Sequence, residues 1–358
     1  MIDIKIPELN PDWFHQAAAH QARLTMPAGA LGRLLDVGRQ LCAIQETLQP
    51  RGEPAAVVVL AADHGITAEG VSAYPQEVTG QMVANFLRQG AAINVLARRQ
   101  GATVWVVDLG IRHLPAVLQP RSPTLRWIAG QAVRLGTGNF LREPAMSLAE
   151  VEQAIAVGRR LVVEQLVPEH IQVVALGEMG IGNTTSASAL TAAVLGCKAD
   201  TVTGRGTGLD DARLRHKIHV IDQALERHFP NRHEPVTPLD ALAAVGGLEI
   251  AGLVGVALEA AARRLVVVLD GFISSVAGLL AVRLRPAARG YLIAGHRSVE
   301  AGHRAVLAAL DLAPLLDLGM RLGEGSGAAL ALNLIQSAAD VLRDMATFDA
   351  AQVSERTS

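Results

Sequence analysis

The sequence is poor in aromatic residues and in net charge, and both shortages narrow what the protein can bind. Phe, Trp and Tyr make up only 3% of the 358 residues, whereas proteins that bind single-stranded nucleic acids usually stack bases on aromatic side chains. The 32 basic residues are balanced by 34 acidic ones, and no run of like charge offers a patch for a nucleic acid or an anionic membrane. The composition therefore favours a small-molecule partner and argues against nucleic acid.

Long hydrophobic runs and cysteines are also scarce, although half of the residues are apolar. Arg, Asp, Gly or Pro interrupts the apolar stretches well before the roughly 20 residues that a membrane span needs. The two cysteines, Cys42 and Cys197, lie far apart, and no charged stretch followed by an apolar core and a cleavage site opens the sequence. We therefore expect a cytoplasmic protein without disulfides or membrane spans.

What the sequence does contain is an alternation of apolar runs and helical segments. Four continuously apolar runs have the pattern of strands buried on both faces of a parallel sheet; they cover 56–61, 103–108, 171–176 and 265–270, with 291–294 as a further candidate. Between them lie helical segments at 76–99, 148–167, 184–195, 212–226 and 239–263. The alternation predicts an α/β fold with a doubly wound, mostly parallel, Rossmann-like sheet.

Polar or glycine-rich residues follow each predicted strand. They occupy 63–65, 108–110, 177–180 and 270–272. Because the carboxyl ends of strands in an open parallel sheet line one crevice, we expect the ligand site there. The terminal segments 11–48 and 322–345 predict helices that pair as a small second domain.

Two glycine-rich segments are candidate anion sites. Residues 177–185 follow a predicted strand and open a helix, so their backbone N–H groups suit an anion, but a tight turn in which Asn183 or Thr184 caps the helix fits equally well. The dinucleotide and P-loop fingerprints are both unmatched. Residues 203–208 precede a helix that carries Lys217, whose charge suits a phosphate, although an ordinary surface loop has the same pattern.

Three further side chains attract attention by their type. Asp63 and His64 are good metal ligands, but no further ligands lie nearby in the sequence, and a hydrogen-bonded pair that organises the loop is the favoured interpretation. Glu324 stands among three glycines before an apolar helix. Its negative charge could simply stabilise the N-terminus of that helix, or the side chain could act as a general base with a raised pKa. Since glycines make this loop costly to order, close approach of a ligand explains them better.

Together these segments resemble the nicotinate-nucleotide:dimethylbenzimidazole phosphoribosyltransferase family. The matching phrases occur in the right order over nearly the whole chain, at 27–34, 62–66, 69–71, 78–79, 177–185, 245–252, 269–274 and 321–331. The resemblance implies a homodimer whose subunit has a large catalytic α/β domain, here 50–320, and a small helical domain formed by 1–49 with 321–358.

The resemblance also implies a reaction. The phosphoribosyl group of nicotinate mononucleotide is transferred to 5,6-dimethylbenzimidazole, giving α-ribazole 5′-phosphate and nicotinate for the lower-ligand nucleotide of cobalamin. Because nicotinate leaves as a neutral pyridine ring, we expect no metal or other cofactor.

Site residues carry over by the same resemblance. Three residues are expected to be catalytic. Glu324 matches the proton acceptor for the benzimidazole, and Glu178 and Lys217 match a polar pair near the nicotinate and the ribose phosphate, which we expect to be hydrogen-bonded to each other. The remaining positions border either the nucleotide or the base pocket; the first group is Gly180, Asp270, Gly271 and Ser298, and the second is Tyr74 and Met82. Some members of the family have serine and glutamine in place of Tyr74 and Met82, so we expect the aromatic acceptor to be held differently here.

Two other functions compete with this interpretation. A non-catalytic nucleotide- or azole-binding protein on the same fold would keep the glycine loops but would not need Glu324 between two pockets. A metal-dependent hydrolase would use Asp63 and His64, and a chelator would abolish its activity.

Overall fold

The apolar runs of the sequence form a parallel sheet at the centre of the molecule. The computed structural model describes residues 3–115, 119–206, 208–230 and 236–354. Within these ranges the sheet has six strands in the order β3-β2-β1-β4-β5-β6, and every neighbouring pair is parallel. They are β1 (Ala55–Ala62), β2 (Thr103–Gly110), β3 (Leu125–Ile128), β4 (Val173–Met179), β5 (Val266–Leu269) and β6 (Leu292–Ala294). The predicted doubly wound fold is confirmed.

The burial of the strands explains which of them the sequence predicts. All residues of β1, β4 and β5 are buried, which is why their sequences read as continuous apolar runs. Strand β3 was not predicted: it lies at the edge of the sheet, has four residues and buries only Leu125 fully. So short and half-exposed a strand leaves too weak a periodic pattern to recognise.

Helices cover both faces of the sheet. They are α1 (Pro11–Gln21), α2 (Arg33–Gln45), α3 (Val78–Leu87), α4 (Ala92–Arg99), α5 (Leu148–Leu161), α6 (Asn183–Leu195), α7 (Ala199–Val202), α8 (Asp211–His228), α9 (Pro238–Val245), α10 (Leu248–Ala262), α11 (Phe272–Leu284), α12 (Ala301–Ala309), α13 (Ser326–Asp344) and α14 (Phe348–Ala351). The α10 residue Gly252 packs against Leu60 of β1, whereas Gly325, just before α13, packs against Val57. Since alternate strand residues point to opposite faces, α10 and α13 lie on opposite sides of the sheet.

Two predicted helices are each divided in the structure. The segment 76–99 forms α3 and α4, separated by Gln89 with a positive φ of 66° and by Gly90 beside it. The segment 239–263 forms α9 and α10, which Gly246 and Gly247 separate. Helices α11 and α12 were not predicted. No helix in the described ranges combines the length and apolar character that a membrane span requires.

Helices from both ends of the chain pack together. Helix α2 contacts α1 and α13, and the backbone of Gly38 in α2 lies against Leu342 in α13. Helix α13 also contacts α4 and β4, and its Ile335 belongs to the same hydrophobic core as Leu41 of α2 and Val57 of β1. The division into domains 50–320 and 1–49 with 321–358 remains a prediction.

The strand order reverses between β1 and β4. Chain connections run outward through β2 and β3 on one side of this boundary and through β5 and β6 on the other. The loops at the carboxyl ends of β1 and β4 therefore diverge and leave a crevice, which is the usual ligand site of such sheets.

Candidate active site

A cleft opens at the carboxyl ends of β4 and β5, beside this reversal of strand order. It contains about 850 Å³ of space, including the part open to solvent, which is typical of small-molecule sites. Seven of the residues predicted to act on substrates line it: Glu178, Gly180, Lys217, Asp270, Gly271, Ser298 and Glu324. Residues that the sequence separates by almost 150 positions are thus brought together by the strand ends.

Tyr74 and Met82 lie outside the lining of this cleft. Tyr74 is in the loop before α3 with 51% of its surface exposed, and its backbone N–H donates to Ser72 Oγ. Ser72 does line the cleft. Met82 is half-buried on α3 and packs against the core. Their role in holding the base therefore remains a prediction.

Glu178 is a buried carboxyl group in the middle of the cleft. It is the sixth residue of β4, paired in register with Leu60 of β1, and its Oε2 accepts a hydrogen bond from the Asn183 side-chain amide. Burial, followed by the charges of Asp270 and Glu249, raises the pKa of Glu178 to about 8. Glu178 is therefore neutral at neutral pH, and an anionic group of a ligand can approach it.

Glu324 is held in a strained loop against β4. Its φ is 63°, and Gly323 and Gly325 on either side both have a φ of 83°. A Cβ at Gly177 of β4 would lie only 2.7 Å from the carbonyl oxygen of Glu324, so glycine at 177 permits the close approach of the two backbones. The surrounding glycines are thus needed to place Glu324.

The Glu324 carboxyl group has the properties of a general base. Burial and the charge of Asp270 raise the pKa of Glu324 to about 7, against the opposing effect of the Ile93 backbone N–H at the start of α4. Its Oε2 is buried without a hydrogen-bond partner. A base with a pKa near the working pH, and with a free oxygen, is suited to accept a proton from a ligand.

Asp270 orders the segment that follows Glu324. Its carboxylate accepts hydrogen bonds from the backbone N–H groups of Gly325, Gly327 and Ala328, at 3.1, 2.6 and 3.0 Å. These groups belong to the first turn of α13 and the residue before it, where a negative charge is stabilised. Burial raises the pKa of Asp270 to about 7, although the same three bonds act to lower it.

Asp270→Asn is therefore expected to impair Glu324 without removing it. The asparagine amide has one accepting oxygen in place of two, so at least one hydrogen bond from the backbone N–H groups after Glu324 is lost. We expect the loosened Glu324 loop to lower kcat about tenfold. The acid limb of the pH–kcat profile should also move to lower pH, because the charge of Asp270 no longer raises the pKa of Glu324. A steady-state pH profile measures both effects. Asp36→Asn, at the exposed partner of Arg39 on α2, is the control and should retain the parental profile.

Lys217 is fully buried on α8 and holds the segment before it. Its Nζ lies 2.9 Å from Thr184 Oγ1 and 3.4 Å from the carbonyl oxygen of Gly204. Burial lowers the pKa of Lys217 to about 8, against the opposing charge of Glu300. The predicted hydrogen bond between Lys217 and Glu178 is wrong: Glu178 bonds Asn183 and Lys217 bonds the next residue, so the two side chains hold neighbouring positions at the start of α6.

Both glycine-rich segments, 177–185 and 203–208, contribute residues to the lining of the cleft. Helix α6 begins at Asn183 after Gly182, and no side chain caps it. The interpretation in which Asn183 or Thr184 merely caps the helix is therefore wrong, and the first turn of α6 opens into the cleft, which Gly180 to Thr184 line. In segment 203–208, Arg205 and Gly206 line the cleft, while Thr207 lies outside the described residues.

Asp63 and His64 do not bond each other. Asp63 Oδ2 accepts from the backbone N–H of Arg112 at 2.8 Å, whereas the His64 ring contacts Glu249 and Ser186. The favoured interpretation, a hydrogen bond between Asp63 and His64, is therefore wrong, because each side chain bonds other residues. In the part of the chain that the structure describes, no group of three His, Cys, Asp or Glu residues is arranged to hold a metal ion.

Comparison with known proteins agrees with this geometry. A family model described as "Phosphoribosyltransferase" matches residues 6–353. The nicotinate-nucleotide–dimethylbenzimidazole phosphoribosyltransferase of Chloroflexus aurantiacus is 54% identical over 340 residues, which are 95% of this chain and 94% of that protein. This chain belongs to the nicotinate-nucleotide–dimethylbenzimidazole phosphoribosyltransferase family.

Other relatives of the phosphoribosyltransferase family are nearly as similar. The Geobacter sulfurreducens protein of the same name is 47% identical over 351 residues, 98% of this chain and 97% of its own. The crystal structure of CobT from Thermus thermophilus superimposes with a TM-score of 0.89 at 46% identity, covering 97% of this chain and 100% of that one. The sequence and the fold of this phosphoribosyltransferase therefore match those of its relatives over nearly the whole chain.

Sequence reasoning missed several side chains of the phosphoribosyltransferase cleft. His296 and Glu300 line it; both are buried, and His296 Nδ1 and Glu300 Oε2 lack hydrogen-bond partners. Arg205 and Arg321 add positive charge to the same lining. His296 and Glu300 lie close to Ser298, between β6 and α12, in a stretch without periodicity. The only signal in the sequence that could have indicated them as site residues is that they are neighbours of Ser298.

Proposed function

We propose that the protein transfers the phosphoribosyl group of nicotinate mononucleotide to 5,6-dimethylbenzimidazole and so makes the lower-ligand nucleotide of cobalamin, α-ribazole 5′-phosphate. The observation that carries the proposal is Glu324, a buried carboxyl group with a pKa raised to about 7 and an unpartnered oxygen in a cleft. The names and the full-length similarity of the relatives support the same reaction. A non-catalytic binding protein would have no use for a base so placed.

The reaction joins one benzimidazole nitrogen to C1 of the ribose as the bond from C1 to nicotinate breaks. The electron pair of the broken bond returns to the cationic ring nitrogen of nicotinate, which leaves as a neutral pyridine ring. The other benzimidazole nitrogen gives its proton to Glu324. Catalysis then depends on holding the two rings on either side of C1 and on removing this proton.

The charges of the cleft suit the donor nucleotide. We assign the phosphate to the end where Lys217, Arg205 and the first turn of α6 supply positive charge and N–H groups, because a helix N-terminus favours an anion. We assign the nicotinate end to Glu178, whose pKa of about 8 keeps it neutral next to the nicotinate carboxylate. Gly271 and Ser298 border the ribose between these ends.

Two further expectations belong to the same proposal. We infer that the enzyme acts in the cytoplasm, because both cysteines are free thiols, as is usual in a reducing compartment. We also infer a homodimer from the family resemblance. Sedimentation equilibrium at several protein concentrations tests the homodimer, and a single species with the mass of one chain would contradict it.

The function is tested by incubating metal-stripped protein with nicotinate mononucleotide and 5,6-dimethylbenzimidazole and separating the products by chromatography. We expect nicotinate and α-ribazole 5′-phosphate in equal amounts, without added metal. Omitting the benzimidazole is the control, and it should stop nicotinate release. If the complete mixture yields no α-ribazole 5′-phosphate, and other azole acceptors yield no nucleotide either, the non-catalytic binding protein becomes the better interpretation.

A further inference from the structure

A buried hydrogen-bonded network lies directly beneath the glycine loop of the cleft. His64 Nε2 is 2.6 Å from Glu249 Oε1, and His64 Nδ1 is 3.0 Å from Ser186 Oγ. The side chains of His64 and Glu249 are completely buried. Burying two ionisable groups is unfavourable unless they are paired and hydrogen-bonded, yet neither group takes part in the reaction described above.

The network joins three elements that converge on the cleft. His64 follows β1, Ser186 is in the first turn of α6, and Glu249 is the second residue of α10. A carboxylate in the first turn of a helix is stabilised by the helix dipole. The imidazole therefore ties the start of α6, which faces the ligand, to the start of α10, which is buried behind it.

The His64 ring also fills the space behind two glycines, Gly180 in the loop after β4 and Gly247 just before α10. A Cβ at Gly180 would lie 3.2 Å from the ring, and a Cβ at Gly247 would lie 2.5 Å from its Cε1. The ring thus supports the backbone of Gly180 from behind. Three residues further on, Asn183 donates its side-chain amide to Glu178, so a shift of this loop would displace both polar side chains in the cleft.

Charge connects the network to Glu178 as well. Burial is the largest cause that raises the pKa of Glu178. The charges of Asp270 just after β5, Glu249 at the start of α10 and Glu324 before α13 raise it further, and the hydrogen bond from Asn183 opposes them. Glu249 has one oxygen bonded to His64 and the other without a partner. Its charge therefore reaches the cleft without any contact with a ligand.

We propose that His64, Glu249 and Ser186 are positioning residues for the donor nucleotide: their network fixes the loop from Gly180 to Asn183 and thereby the orientation of Asn183 and Glu178. The inference rests on the proposed function for the identity of the donor. It assigns no contact between the network and the substrate. Loss of the network should consequently weaken donor binding and leave the acceptor Michaelis constant unchanged.

Calorimetric titration with nicotinate mononucleotide tests the mechanical part of this proposal. His64→Gln is expected to raise the donor Kd about tenfold, and Ser186→Ala, which removes a single oxygen and preserves the packing, about threefold. The control is Glu259→Gln, since Glu259 is also buried on α10, bonded to Arg159 and Arg263, and lies about 15 Å further along the helix. It should lower the melting temperature without changing the donor Kd.

Glu249→Gln tests the electrostatic part through the pH dependence of the same Kd. Donor binding to the parent should weaken as pH rises past about 8, when Glu178 becomes anionic. Without the charge of Glu249 the weakening should begin at a lower pH. Titration of the donor phosphate and of Lys217 is common to both proteins and does not affect the comparison. A lowered midpoint in Glu249→Gln supports the electrostatic link, and parental Kd values in His64→Gln and Ser186→Ala would overturn the proposal.

The outcomes separate this inference from the function itself. If the parent binds nicotinate mononucleotide but forms no α-ribazole 5′-phosphate, the proposed transferase activity fails while the binding measurements still decide the role of the network. Variants that lose stability as Glu259→Gln does, with a parental donor Kd and pH midpoint, would show a purely structural network and contradict the proposal.

Discussion

Glu324→Gln is expected to lower kcat by about 10²- to 10⁴-fold, the usual cost of losing a general base. The amide has nearly the shape of the carboxyl group, so the strained loop and the Asp270 contacts that follow it should persist. Donor affinity should stay near that of the parent, because Glu324 is assigned to the acceptor. Single-turnover measurement of nicotinate release, with donor Kd measured separately, gives both quantities.

The pH dependence of the parent follows from the direction of the Glu324 shift. Because burial raises the pKa of Glu324 to about 7, the base is protonated and inactive below that pH, and kcat should rise as pH increases through it. Glu324→Gln should lose this limb altogether. Glu150→Gln, at the cap of α5 away from the cleft, should keep both the limb and the rate. A Glu324→Gln enzyme that turns over like the parent would remove Glu324 from the chemistry.

The fold was predictable because its main strands are buried on both faces. β1, β4 and β5 give continuous apolar runs whose positions the structure reproduces to within a few residues. The helix boundaries were less predictable, since the breaks between α3 and α4 and between α9 and α10 depend on short glycine-containing turns. Those turns are only a few residues long, and neither contains a proline. Helix α11 was missed because it begins only two residues after Asp270 and is mostly apolar, with Ser274, Ser275 and Arg283 as its polar residues.

Site residues were predictable where they belong to a recognisable motif and also lie at the end of a predicted strand. Glu178 and Asp270 meet both conditions and line the cleft, whereas Glu324, in the loop before α13, was predicted from its glycine-rich motif alone and lines the cleft too. The individual hydrogen bonds were not predictable, because they depend on which of several adjacent side chains turns inward. Lys217 therefore bonds Thr184 rather than Glu178, and His64 bonds Glu249, 185 positions away.

Lys217→Met is expected to raise the donor Kd about 100-fold, the effect of removing one member of a buried, hydrogen-bonded charge arrangement. Methionine fills a similar length but cannot bond Thr184 or Gly204, and it removes the positive charge that interacts with the buried Glu300. Calorimetric titration with nicotinate mononucleotide measures the change. Lys198→Met, at an exposed lysine before α7, is the matched control and should bind the donor as the parent does.

The kinetic pattern of Lys217→Met should be the reverse of that of Glu324→Gln. With donor at saturating concentration, Lys217→Met should recover most of the parental kcat, because the base and the acceptor side of the cleft are unchanged. Its donor binding should also lose one component of pH dependence: the parent loses the Lys217 charge as pH rises past about 8, and the variant has no such charge to lose. Unchanged donor binding in Lys217→Met would show that Lys217 does not hold the donor phosphate.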